Sequence, residues 1–421
     1  LSSRPTCETF KRNCGVIMDF ELNQEDKEFA EHFRRFCEKE IGAVAGEVDE
    51  SGSVPRSHYE ALGAIGYNGL LHRREFGGQE ASIVQATVAQ MILAEACGST
   101  FFSVGASCGL FGGPVASYAS AAQKKSILPT LLAGKLIGCL AVTEPDTGSD
   151  VSAIRTRAKR SANGFVLNGQ KTFITNAPIG DYAVVLARLG EENADSKGSL
   201  SCFLVDLHLP GVTRGKAMRK MGLRASPTGE LFFDNVELAA ESLLGAPGQG
   251  FRMVMEAFAM ERLALAAYCV GTMKACFDDS RRYSRERKAF GRPIAKHQSV
   301  AFMLADIKTK LEAAYLLLME TAWLVDRQRA EAVGGKSPSR LLHNGYMIDI
   351  NARAAETKLL ASTYAREVAN LAVQVHGGAG YMEEYRVCRL YRDIKIAEIG
   401  GGTSEIQKQI VAHAEIKRVG V

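Results

Sequence analysis

Between residues 22 and 138 apolar positions recur three and four apart, the spacing of helices with one buried face. Asp26 to Ile41 is charged and carries Phe29, Phe33, Phe36 and Cys37 on such a face. Residues 57–71 and 84–97 suit helices, 123–132 does so up to Gly134, and 101–119 is a small-residue helix able to pack closely. The pattern changes at Ile137. Residues 137–144, 164–168, 182–188, 200–206 and 231–236 are short apolar or alternating runs, several β-branched or aromatic. Asn-Gly, Gly-Asp and Pro-Gly turns lie between them, so this reads as a small β domain. From Gly248 long helical periodicity returns to the end, apart from a loop near 332–338. The order is helices, strands, helices: an α+β multidomain chain divided at 18–138, 139–237 and 238–421.

At 421 residues the chain can bury a large core. A net charge of +4, with no basic arm or stripe, argues against nucleic acid as a partner. No apolar run reaches membrane-spanning length, so no membrane partner is expected. The ten cysteines are scattered without CxxC, as expected of thiols in a reducing compartment. The eight histidines are equally dispersed, so no metal site is expected. Residues 1–17 are read as an extension, either an over-extended start or a trimmed leader. They hold three basic residues and one acid, too little for a transit peptide and too polar for a signal peptide.

Two stretches carry candidate chemistry. In 374–410, turns Gly377-Gly378 and Gly400-Gly401-Gly402 flank a charged segment, and Ser404 and Gln407 have capping-box spacing. Glycines before a helix start let a ligand approach the backbone and its free N–H groups, although a plain loop entering a capped helix has the same look. In 248–270, Val254, Phe258, Glu261 and Leu265 fall within roughly a 60° arc of a helix. A carboxylate in an apolar stripe has its charged form disfavoured, which suits a base. The alternative is a glutamate that snorkels outward or pairs with Arg262.

Four further segments complete a pattern: Leu140-Ala-Val-Thr-Glu-Pro-Asp-Thr-Gly-Ser149-Asp150, Lys171-Thr-Phe-Ile-Thr-Asn176, Arg287-Lys-Ala-Phe290-Gly291 with His297-Gln298, and Gln374 with Gly377-Gly378. With Tyr391-Arg-Asp393 and Gly402-Thr-Ser-Glu-Ile-Gln407, they resemble the acyl-CoA dehydrogenase flavoproteins over nearly the whole chain from Met18. The resemblance implies an N-terminal helical domain, a middle β-barrel-like domain and a C-terminal four-helix bundle, with FAD as cofactor.

By that resemblance, Leu140, Val142, Thr143, Gly148 and Ser149 meet the flavin ring, and Ser149 also meets the acyl-CoA. Phe173, Ile174 and Thr175 lie against the flavin; Phe173 stands where the family usually has Trp. Arg287, Phe290, His297 and Gln298, with Gln374, Gly377 and Gly378, reach a neighbouring subunit's FAD. That arrangement implies at least a dimer and points to a homotetramer. Thr403 and Glu405 also match cofactor contacts, and Arg262 and Gly402 match substrate contacts.

In most of the family the residue before the C-terminal Gly-Thr is the catalytic glutamate; here it is Gly401. A branch that includes isovaleryl-CoA and long-chain acyl-CoA dehydrogenases carries its base on the internal helix instead, which points to Glu261. The backbone N–H of Gly401 then polarises the thioester carbonyl.

The implied activity is α,β-dehydrogenation of an acyl-CoA, in fatty acid or branched-chain amino acid catabolism. Electrons pass to an electron-transferring flavoprotein. The compartment is the cytoplasm in a bacterium or the mitochondrial matrix in a eukaryote. An acyl-CoA-oxidase-like or nitroalkane-oxidase-like enzyme is an alternative on the same scaffold. A DNA-associated flavoprotein of the alkylation-response type is another, and the weak charge counts against it.

Overall fold

The computed structural model describes residues 22–190, 200–332, 337–343 and 345–418. The extension read at 1–17 lies outside the described residues, as does most of the loop read near 332–338. The first helix, Gln24–Phe36, starts where the Asn23 side chain accepts the Asp26 N–H at 2.7 Å, and it widens into a turn over Cys37–Gly42. Its apolar face buries Phe33, Cys37 and Ile41 as the spacing requires. Helices Arg56–Ala64, Ile83–Ala96 and Ala121–Leu132 follow. The small-residue helix is two α segments, Gly98–Gly105 and Gly112–Tyr118, joined by a wide turn at Ala106–Phe111.

The middle part is one mixed sheet. Its strands are β1 Gly138–Ala141, β2 Arg157–Ser161, β3 Gly164–Thr175, β4 Tyr182–Leu189, β5 Leu200–Asp206, β6 Val212–Arg214, β7 Thr228–Ala239 and β8 Leu243–Leu244. They run in the order β6-β7-β3-β2-β4-β5-β8, with β1 parallel beside β4. β3 and β7 are longer than their apolar cores. β2 escapes a reading by alternation because RAKRS buries only its alanine. Asn176 ties this sheet to the N-terminal helices: its Nδ2 donates to Ser103 O at 2.8 Å and its Oδ1 accepts from the Tyr59 hydroxyl at 3.2 Å.

Four long helices then form a bundle: Gly250–Glu286, Gln298–Ala330, Ile350–His376 and Ser404–Arg418. Gly271 is needed where the first crosses Ile83–Ala96, because a Cβ there would sit 2.3 Å from Met91 O. One departure from the helical reading is a hairpin pairing Arg340–His343 with Tyr346–Asp349. Leu341 and His343 point inward, and His343 packs against Trp323 and meets Glu320 Oε1 at 3.2 Å. A hairpin this short gives too few periods to oppose the helical pattern on either side. Lys220 and Arg224 precede β7. They lie in a loop, with Lys220 Nζ donating to Ser226 O at 2.6 Å and Arg224 pairing with Glu383 at 3.1 Å. Beside them, Leu223 N donates to the buried Asp393 at 2.6 Å, clasping the sheet's loop to the bundle.

Candidate active site

The helix Gly250–Glu286 presents its stripe as the periodicity requires. Val254 and Leu265 are buried, and Phe258 and Glu261 are half-buried among them. Arg262 does not pair with Glu261; its guanidinium donates to Asn351 Oδ1 at 2.6 Å, and its Nε–H is buried without a partner. Burial pushes the Glu261 carboxyl up to about 7, against the opposing charges of Lys358 and Arg262.

What Glu261 faces is the glycine turn. A Cβ built on Gly401 would lie 3.4 Å from Glu261 Cδ, 3.5 Å from its Oε2 and 2.5 Å from Leu265 Cδ1. A side chain at 401 would push the tip of Leu265 aside and bring its Cβ into ordinary contact with Glu261. Gly401 and Gly402 have φ of 62° and 91°, the left-handed region that glycine enters without a Cβ penalty. Their carbonyls are held from behind: Gln407 Nε2 donates to Gly401 O at 3.1 Å and to Gly402 O at 2.8 Å, and Lys358 Nζ donates to Gly402 O at 2.8 Å. The helix start differs from the expected capping box by one residue. Thr403 is the cap, its hydroxyl accepting from Ile406 N at 3.4 Å, whereas Ser404 is the first helical residue. Gln407 is drawn to the glycine carbonyls instead, and Glu405 is exposed in the first turn.

The segments from 140 and 171 come together on the sheet. Thr172 N donates to Thr143 O at 2.9 Å, so the loop after β1 lies along β3. A buried pair fastens it: Lys171 Nζ reaches Glu144 Oε1 at 2.8 Å and Val142 O at 2.9 Å, and Glu144 also accepts from Thr156 N at 2.9 Å. Burial alone would raise the Glu144 carboxyl, but Lys171 and these bonds hold it below its ordinary value. Leu140 and Thr143 are half-buried, Val142 is buried, and Gly148 and Ser149 are exposed on the far side of the loop.

Phe173 interrupts β3. It has φ 57°, sits where the pairing with β7 slips between Lys171 and Ile174, and is 67% exposed. A left-handed non-glycine residue costs roughly 1–2 kcal/mol, and here the strain turns a flat ring outward while Ile174 goes in. Thr175 follows it, half-buried. An exposed, strained aromatic beside a loop of backbone polar groups fits the face of a planar cofactor.

The remaining predicted contacts gather at one end of the bundle. Arg287 is exposed at the end of Gly250–Glu286, Phe290 has φ 51° and is 95% exposed, and His297 Nε2 meets Ala289 O at 3.1 Å. Gln298 is exposed at the start of the next helix. Tyr283 stacks on His376 at 4.4 Å, which brings exposed Gln374, Gly377 and Gly378 to the same end. Cβ atoms at Gly377 and Gly378 would meet open space.

Sequence reasoning missed Lys358, Gln407 as a support for the turn, and Asn351. Lys358 had a signal: it lies in a stripe of small residues, Ala354, Ala355, Ala361, Ser362 and Ala365, all buried. Asn351 had none, since its contact with Arg262 spans 89 residues of sequence.

The patterns of the acyl-CoA dehydrogenase N-terminal, middle and C-terminal domains match residues 23–135, 139–236 and 248–416. The chain belongs to the acyl-CoA dehydrogenase family. A probable acyl-CoA dehydrogenase, YngJ of Bacillus subtilis, is 35% identical over 400 residues, 95% of this chain and 100% of that one. The short-chain specific acyl-CoA dehydrogenase of Clostridium acetobutylicum is 33% identical over 395 residues, 94% of this chain and 99% of that one. The structure of butyryl-CoA dehydrogenase from Megasphaera elsdenii superposes with a TM-score of 0.86 at 32% identity, covering 95% of this chain and 100% of that one. This acyl-CoA dehydrogenase is therefore an FAD-dependent oxidoreductase acting on CH–CH groups, with the fold of that family. Among the described residues no helix is long and apolar enough to cross a membrane, and no three His, Cys, Asp or Glu side chains gather to hold a metal.

Proposed function

We propose that this acyl-CoA dehydrogenase introduces a trans α,β double bond into a saturated acyl-CoA thioester, with Glu261 as the base. The observation that carries the reading is the Glu261 carboxyl facing the Gly401 turn, its affinity for a proton raised by burial to about 7. A base so poised is about half ionised near neutral pH and binds the proton it removes more strongly than an ordinary carboxylate does. Bound FAD supplies the acceptor for the β-hydrogen and its electron pair. The α-proton goes to Glu261, and the electron pair of the α C–H bond becomes the new double bond.

Charge that builds on the thioester oxygen is met by the Gly401 N–H, for which the described residues provide no acceptor. Arg262, with its unpartnered Nε, Ser149 and Gly402 would seat the acyl-CoA. Phe173 would stack on the flavin, with Leu140, Val142, Thr143, Gly148, Ile174 and Thr175 around it and Thr403 and Glu405 at the helix start. Arg287, Phe290, His297, Gln298, Gln374, Gly377 and Gly378 would reach the FAD of a second copy in a homotetramer. This reading divides the chain at 18–138, 139–237 and 238–421 and puts it in the branch with the base on the internal helix. Electrons would leave to an electron-transferring flavoprotein, and the acyl group would be branched or bulky.

The test is Glu261→Gln. It should keep FAD and fold while anaerobic bleaching of the flavin by a good acyl-CoA slows ~10²–10⁴-fold. A panel of straight, 2-methyl, 3-methyl and aryl acyl-CoAs finds that substrate. Reduction at the wild-type rate would reject Glu261. Glu398 is then a poor replacement, because Arg366 and Lys395 hold it at 2.9 and 2.6 Å and keep its carboxyl low despite partial burial.

A further inference from the structure

Lys358 is 0% exposed in the middle of helix Ile350–His376, and its Nζ donates to a backbone carbonyl, Gly402 O, at 2.8 Å. A buried ammonium is unfavourable unless its surroundings answer its charge. The charged and titratable groups that face it are Glu261, Arg262 and Cys269 on the neighbouring helix and Glu398 before the glycine turn. Gln407, also 0% exposed, donates to the carbonyls of both Gly401 and Gly402. Three successive glycines form the most freely rotating backbone a chain can have. Here the two carbonyls of the turn are fastened by side chains from two different helices.

We propose that Lys358 and Gln407 are positioning residues that lock the Gly401–Gly402 turn in its reactive shape, and that Lys358 also acts on the base through its charge. The two share one mechanical task and differ in one electrostatic task. The carbonyls held by Gln407 and Lys358 belong to the peptides that carry the Gly402 and Thr403 N–H groups, so those two planes are fixed, and with them the backbone that sets the adjoining Gly401 N–H. Donors fixed in advance stabilise charge that develops during reaction without reorganising at that moment. Lys358 is also the largest influence opposing the rise of the Glu261 carboxyl, with Arg262 next. Removing the ammonium therefore leaves more of the base protonated at neutral pH. Gln407 carries no charge and has no such effect.

The inference rests on Glu261 being the base, and the experiment separates the two. Flavin reduction by a saturating acyl-CoA is followed by anaerobic stopped flow across pH for the FAD-loaded wild type, Lys358→Met, Lys358→Arg, Gln407→Met and Glu261→Gln. Gln407→Met should lower the limiting rate by about ten- to a hundredfold, with the wild-type pH midpoint and near-normal substrate affinity. Lys358→Met should lose rate similarly and move its midpoint upward by about one pH unit. Lys358→Arg restores charge without the same geometry, so its midpoint should return to wild type while the rate stays low.

A wild-type midpoint in Lys358→Met, or wild-type rates in both methionine variants, overturns this inference even if Glu261→Gln is slow. If Glu261→Gln is itself as fast as wild type, the functional reading fails first. Should Lys358→Met not hold FAD, the Gln407→Met and Lys358→Arg results decide: full rate in Gln407→Met, or a shifted midpoint in Lys358→Arg, rejects it.

Discussion

At Glu261 the burial on which the proposed base rests also sets how the fold responds to pH. The folded-state value, about 7, lies above the ordinary 4.5, so the native protein holds this proton more tightly than the unfolded chain. The resulting stabilisation is complete below the unfolded value and is lost as pH rises through about 7. Glutamine keeps the shape without the titration. The melting temperature of Glu261→Gln, relative to wild type, should therefore rise between about pH 5 and about pH 8. A difference that is flat across that range would contradict the burial argument. Moving the base is a second residue-scale test. Glu261→Gly with Gly401→Glu should recover little activity, because the new Cβ meets Leu265 at 2.5 Å. Adding Leu265→Ala should raise the reduction rate of that double variant. Equal rates with and without the Leu265 change would show that the contact does not matter.

Among the elements, β3 turns the Phe173 ring outward, toward the proposed flavin, because it is irregular. Lys171 and Ile174 pair on either side of a slipped register, and Phe173 stands out from it. Phe173→Ala should relieve none of the slip, which Lys171 and Glu144 pin, but should weaken FAD retention by about 1 kcal/mol of lost stacking. Fluorescence of released flavin on dilution measures this, and unchanged retention would return Phe173 to an ordinary strand position. The elements also divide what could be read in advance. Strands β4 and β5 announce themselves through unbroken apolar runs, and the long helices through their stripes. β2 did not, being polar on both faces, nor did the hairpin at Arg340–Asp349, whose strands are four residues each. The place of Glu261 among apolar neighbours was legible because a carboxylate in an apolar stripe is anomalous. The one-residue shift of the cap from Ser404 to Thr403 was not, because Gln407 is claimed by carbonyls that only the folded turn presents.

For the whole molecule, the exposed groups at the bundle's end suit a partner subunit better than water. Phe290 at 95% exposure in a left-handed conformation is the clearest case. Arg287→Ala should lose FAD and loosen the assembly together, as read by flavin content and light scattering on the same preparation. A variant that stays tetrameric with full flavin would separate the two and undo the shared-site reading. The three-part order of helices, sheet and bundle was visible in the change of period at Ile137 and again at Gly248. Contacts that join the parts, Asn176 with Tyr59 and Asp393 with Leu223, were not, because they span more than a hundred residues of sequence.

The crowding between Gly401, Leu265 and Glu261 also constrains history. In this chain a glutamate at 401 would push the tip of Leu265 aside, adopt a left-handed backbone and set a second acid beside Glu261. A smaller residue at 265 would ease that arrival. The spacing of these three positions thus favours one order of mutations over another, a smaller residue at 265 ahead of an acid at 401.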